Sequence, residues 1–153
     1  MGTGRIPWEV EEPPEPESLK GKPLPSLEAV ALQNLDAIEG NMILLCFFDL
    51  EQRPSRHFVK TLAGRTKPLA KLGVVVLGVE SSGMARPEAL NWMKENGLSF
   101  PIGRIEKERE KILASFGVES LPWLLLTDRG HVVRFENIEF DEIEEKVKEL
   151  EKK

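Results

Sequence analysis

Two short, unbroken apolar runs constrain this chain more than any other feature: Met42–Phe48 (MILLCFF) and Gly73–Glu80 (GVVVLGVE). A strand with one wet face alternates apolar and polar residues, whereas a strand covered on both faces has no reason to alternate. Strands of the second kind sit inside a sheet whose two sides are both packed. Parallel neighbours of that sort need a helical crossover between them. The intervening sequence supplies one: residues 54–72 read as helix, interrupted near Gly64 and restarted at Thr66–Pro68, since proline suits a first helical turn.

The remaining segments continue the alternation. Pro87–Asn96 reads as a helix with Gly97 just past its end, Ser99–Ile102 as a short strand, and Lys107–Phe116 as a helix stopped by Gly117. Trp123–Thr127 and Val132–Glu136 flank Asp128-Arg129-Gly130-His131, a hairpin turn that makes these two strands antiparallel. Asp141 and Glu144 predict a capping box for a last amphipathic helix carrying Ile143, Val147 and Leu150. The expected architecture is α/β, a central mixed sheet with helices on both faces.

Composition narrows the chemistry. Of 153 residues one is cysteine and two are histidine. That excludes an internal disulfide, a CxxC pair and a cysteine-rich zinc site, and leaves no dense metal cluster in prospect. No phosphate loop or dinucleotide fingerprint occurs, so no cofactor is expected. A net charge of −5 argues against nucleic acid as a partner, and no apolar run is long enough to span a membrane. The first residues lack the basic start and apolar stretch of a signal peptide. The compartment stays unknown, and a domain excised from a larger, exported protein is one expectation.

Residues 1–18 differ from the rest. Pro7, Pro13, Pro14 and Pro16 alternate with Glu9, Glu11, Glu12, Glu15 and Glu17, which predicts an extended arm or linker ahead of a domain over 19–153. Basic charge is concentrated elsewhere: from Gln52 to Val79 there is no acid, but there are Arg53, Arg56, Lys60, Arg65, Lys67 and Lys71. A solvated helix face is the plain reading. A contact with an anionic ligand, with a partner, or with the chain's own EVEEPPEPE arm at Arg53, Arg56 and Lys60 is the sharper one. The run Glu106–Lys111 alternates in sign, as an exposed helix start does.

With these segments in order, the chain resembles the thioredoxin-like superfamily, in its redoxin branch of alkyl hydroperoxide reductase-type peroxiredoxins and cytochrome-maturation thioredoxins. Four pieces over residues 19–153 carry the likeness: GKPLPSL with the following LDAIEGNMILLCFF; PSRHFVKTL after the first strand; FGVESLP, similar to the family's approach to a cis-proline at Pro122; and LLLTDRGHVV. The resemblance implies a thioredoxin-like fold and a site between the first strand and its helix.

There the chain departs from the family. Gln52-Arg53-Pro54-Ser55 stands where thiol oxidoreductases carry Cys-x-x-Cys, with Gln52 at the nucleophile's place and Ser55 at the resolving cysteine's. The peroxidatic cysteine of a peroxiredoxin belongs to the same stretch and is also missing. Such chemistry runs through a thiolate at a helix N-terminus, which neither side chain provides. The expected function is therefore a redox-inactive, redoxin-like binding or structural module. Leu121, Pro122 and Trp123, with Gln52 and Ser55, form the implied groove for a peptide or protein partner. For Trp123, core packing competes with a role in that groove.

The alternative is thiol–disulfide or peroxidase activity through Cys46 and an external thiol. Its mid-strand place favours a small core hydrophobe instead. Ser55 and His57 stand two apart on a helix and point to different sides, which argues against a nucleophile–base pair and leaves His57 on the surface. His131, in the hairpin turn, reads as solvated.

Overall fold

The computed structural model describes residues 15–32, 35, 38–98 and 100–151. The predicted extended arm therefore lies almost wholly outside the described residues. A 3-10 turn, Leu27–Val30, precedes that strand and is capped by the Ser26 hydroxyl. The main elements follow in order: β1 (Met42–Phe48), α1 (Arg53–Ala63), α2 (Thr66–Lys71), β2 (Val74–Glu80), α3 (Arg86–Glu95), β3 (Ile102–Arg104), α4 (Arg109–Ser115), β4 (Trp123–Thr127), β5 (Val133–Glu136) and α5 (Ile143–Glu151).

The five strands form one sheet in the order β3-β2-β1-β4-β5. β1 pairs in parallel with β2, and β2 with β3, while β4 runs antiparallel to both β1 and β5. β1 is thus the middle strand, and every one of its residues is buried. Its side chains alternate between two cores. Met42, Leu44, Cys46 and Phe48 face α1, α3 and α5, represented by Val59, Leu62, Met93, Ile143 and Val147. Ile43, Leu45 and Phe47 face the other side, where Val30, Phe116 and α4 pack. The mixed sheet with helices on both faces agrees with the expectation from sequence.

Several boundaries moved, each for a local reason. The third strand was expected from Ser99, which lies outside the described residues; it runs from Ile102, since Pro101 has no N–H to donate and only its carbonyl joins β2, accepting from Gly78 at 2.9 Å. The fourth helix starts at Arg109 because Glu108 sits in the left-handed region at φ 55°, which a right-handed helix cannot include. The capping box before the last helix belongs to Glu139 and Glu142, not to Asp141 and Glu144. A 3-10 turn, Phe140–Glu142, precedes α5, and the Glu139 N–H donates to Glu142 Oε1 at 2.9 Å. Glu144 pairs instead with Arg65 at 3.0 Å.

His131 is not solvated as expected. It is half-buried, with Nε2 2.8 Å from the Ile38 carbonyl oxygen, and so ties the hairpin turn to the loop before β1. The outer edge of β5 is also occupied. Gly21 N–H donates to Val133 O at 2.7 Å, Val133 N–H donates to Lys22 O at 2.9 Å, and Pro23 bridges Val132. Covering an edge in this way removes a template for pairing with another chain.

Candidate functional site

The C-terminal end of β1 and the N-terminal end of β4 lie at the same end of the sheet, because Phe47 pairs with Trp123. This topology gathers the Asp49–Ser55 turn and the 119–122 loop at one rim, and the Leu121–Pro122 peptide bond there is cis.

The turn is shaped by buried carboxylates. Asp49 accepts the Glu51 N–H at 2.8 Å through Oδ1, and its carbonyl accepts the Gln52 N–H at 3.0 Å. Glu80, buried at the end of β2, accepts Leu50 N–H at 2.8 Å through Oε2, and Ser82 N–H and Oγ–H at 2.9 and 2.7 Å through Oε1. A carboxylate inside a sheet stands there because three donors replace its water. Sequence reasoning missed Glu80; the signal available was an acid ending the apolar run GVVVLGVE. Arg56 adds a further tie, with Nη1 donating to Leu50 O at 3.0 Å.

Gln52 is the N-cap of α1, extended and exposed, and its side chain makes no capping bond. Arg53 and Pro54 are exposed in the first turn, and no acid lies there to offset the positive end of the helix. Ser55 is turned inward, 1% exposed, and its Oγ has no hydrogen-bond partner. His57 is exposed, away from that hydroxyl. The N-terminus of α1 therefore carries an exposed amide and a buried, unpartnered hydroxyl, with neither a base nor a thiol.

Cys46, the one thiol of the chain, is fully buried in the middle of β1 between Gly78 and Leu124. Desolvation pushes its pKa far above the ordinary thiol range, so the group is a neutral S–H at any physiological pH.

Trp123 does not belong to this rim. It is 3% exposed and packs on the sheet face opposite Cys46, among Phe47, Phe116 and Leu121, with Nε1 unpartnered. Its register decides this: paired with Phe47, it points as Phe47 does. Leu121 and Pro122 are half-buried at the rim, beside exposed Glu119 and Ser120. Among the described residues no group of three His, Cys, Asp or Glu is arranged to hold a metal ion, and no helix is long and apolar enough to cross a membrane.

Comparison with protein-family models and with curated proteins finds no match. Solved structures do match. A thiol:disulfide interchange protein from Bacteroides sp. superposes with a TM-score of 0.68 at 16% identity, over 85% of this chain and 88% of that one. A putative thiol:disulfide interchange protein DsbE from Chlorobium tepidum gives 0.64 at 18%, over 76% and 84%. A secreted thiol-disulfide isomerase from Corynebacterium glutamicum gives 0.65 at 21%, over 79% and 77%. At these identities the likeness establishes the fold: the chain is a thioredoxin-like α/β domain.

Proposed function

We propose that this thioredoxin-like domain carries no thiol–disulfide activity, and that the rim formed by Gln52–Ser55 and Leu121–Pro122 serves as a contact surface. One observation carries the reading: the only thiol lies in the central strand, out of reach and held protonated, while the start of α1 presents Gln52 and Ser55. Thiol exchange needs a thiolate that can approach a sulfur or oxygen in line. An amide is not such a nucleophile, and a buried serine hydroxyl without a base is no substitute. What supports contact is the residue set left at the rim: an exposed Gln52–Pro54 turn, a basic first helix, and a half-buried Leu121–Pro122 pair. Trp123, being core, is no part of that surface.

The test is an insulin-reduction assay with dithiothreitol and a peroxide-consumption assay, run on the full chain and on Cys46→Ala. Rates equal to the protein-free control for both chains are expected. Thiol-dependent turnover that disappears in a folded Cys46→Ala variant would establish catalysis through Cys46 and end this reading.

A further inference from the structure

The sheet has two outer edges, and among the described residues only one of them is closed. β5 is covered by Gly21–Pro23, whereas β3 pairs with β2 and with no further strand. In a parallel ladder, alternate residues of a strand bond the same neighbour. Pro101 O accepts from Gly78 N–H at 2.9 Å, and Ile105 N–H donates to Glu80 O at 3.3 Å, so Gly103, between them, turns its own groups to β2 as well. Ile102 and Arg104 therefore turn their N–H and C=O groups outward, where no described backbone group takes them.

A cleft of about 60 Å³ runs over this edge. Leu90 and Met93 of α3 form one wall, Ala31, just past the 3-10 turn, forms the other, and Ile102–Arg104 lies between them. The walls belong to opposite faces of the sheet: Met93 packs in the core on the α1 side, and Val30, next to Ala31, in the core on the α4 side. A cavity bordered from both sides crosses the edge itself. Leu90 is 50% exposed, the one large apolar side chain left outside both cores among the described residues.

Two arginines border the cleft without a carboxylate. Arg86 opens α3, and neither it nor Arg104 has an ion pair among the described residues. Arg104 Nε is buried with no acceptor. Glu80, opposite Arg104 in the ladder, also borders the cleft, but its oxygens already accept three hydrogen bonds from Leu50 and Ser82. A guanidinium nitrogen shut off from water and left without an acceptor carries a cost that an incoming carboxylate removes.

We infer that the outer edge of β3 binds an extended peptide, which joins the five-stranded sheet as a sixth strand, with an apolar side chain opposite Ile102 and a carboxylate opposite Arg104. Main-chain pairing supplies the attraction, and the two side chains supply the selectivity. The spacing follows from the pleat. Ile102 and Arg104 face the same side, so the side chains that meet them stand two residues apart, whichever way the peptide runs. Two other accounts of the edge fit less well. A short strand ending in a charge is one way to keep an edge from pairing, but a blocking charge stands in water, whereas Arg104 is half-buried with Nε out of solvent. Pairing of two copies edge to edge would line up their arginines on one face, where like charges repel. β2 separates this edge from β1, so the site is distinct from the rim proposed above and stands or falls without it.

The experiment titrates the full chain with the peptide acetyl-Thr-Glu-Thr-Leu-Thr-Glu-Thr-amide and follows amide shifts and hydrogen exchange. Acids on both sides of the leucine serve either strand direction. At about ten times the measured Kd, the Ile102 and Arg104 amides should exchange about tenfold more slowly, because the bound fraction is shielded. Glutamine in place of the peptide's glutamates, or Arg104→Gln in the protein, should weaken binding about tenfold. Leu90→Ser, at an exposed position that leaves both cores intact, should weaken it about fivefold. No shift with about 1 mM peptide, shifts confined to Gln52–Lys60 and Leu121, or an affinity that ignores both the glutamine peptide and Arg104→Gln overturns the proposal. So does equal binding of a peptide methylated at every main-chain nitrogen, which cannot pair as a strand. Protection of Arg104 that appears without peptide and grows with protein concentration overturns it too, by showing two copies paired.

Discussion

Cys46 should react with a thiol reagent only when the domain opens, and the size of that protection follows from what covers it. The thiol sits on the β1 face under α1, whose Val59 and Leu62 are both fully buried. The least costly opening lifts α1 alone. Exposing two such aliphatic side chains costs about 1.5–3 kcal/mol each, so roughly 3–6 kcal/mol in all. At about 1.4 kcal/mol per factor of ten, the reactive population is smaller than that of a free thiol by roughly 100-fold to 10,000-fold. If β1 must also part from β2 and β4, protection rises toward the global limit. The assay is colour release from a disulfide reagent at pH 8, native against denatured in guanidinium. Native labelling within tenfold of the denatured rate would refute the burial argument and return Cys46 to the list of usable nucleophiles. The same thiol fixes a sign for pH. Its folded pKa is raised, so the unfolded chain gives up that proton first. Stability is full below the ordinary thiol value of about 8.5 and falls above it by about 1.4 kcal/mol per pH unit. The chain has no tyrosine, which keeps this window clear below the lysines. Cys46→Ala should abolish the slope between pH 8.5 and 10 in urea unfolding, and an unchanged slope would assign it to another group.

The remaining predictions concern the frame. Trp123→Ala should cost about 3–5 kcal/mol in chemical unfolding, as core aromatic truncations do. Trp123→Phe should cost less than about half of that, because Nε1 has no partner to lose; equal losses would mean that the indole N–H is bonded. Gly103→Ala should destabilise by about 1–3 kcal/mol or more, since a Cβ there would lie 2.0 Å from the Val30 carbonyl oxygen and would push the 3-10 turn off β3. A neutral effect would show that this turn packs elsewhere. Burial works against ionisation of Asp128, but the Val132 N–H at 3.0 Å, the Arg134 guanidinium at 2.8 Å and the Gly130 N–H at 2.9 Å outweigh it and hold the carboxyl below the usual range. The unfolded chain therefore binds the proton first, and this stabilisation, present above about pH 4, is lost as pH falls through the folded value. Asp128→Asn should flatten the acid limb of a thermal-melt series, and an unaltered limb would refute the hairpin's part in it.

The legible part of this protein was the part governed by local pattern. Two uninterrupted apolar runs required strands covered on both faces, and the proline and glycine positions around Thr66 and Gly97 located helix starts and stops to within a residue or two. The absence of a second cysteine was equally plain, and the motif order placed Gln52 and Ser55 at the start of the first helix. Tertiary structure decided what depends on which face a side chain takes and what lies across from it. Trp123 follows the cis Leu121–Pro122 bond in sequence, yet pairing with Phe47 turns it to the opposite core. His131 lies in a turn that reads as solvent-exposed, but the loop before β1 folds back onto its ring. Glu80 looked like a strand end and proves to hold the Asp49–Ser55 turn through bonds to Leu50 and Ser82. In each case the deciding partner is far away along the chain, 30 residues for Leu50 and 93 for Ile38. Periodicity reports a residue's own element. Only the packed sheet brings distant donors, carbonyls and rings within bonding range.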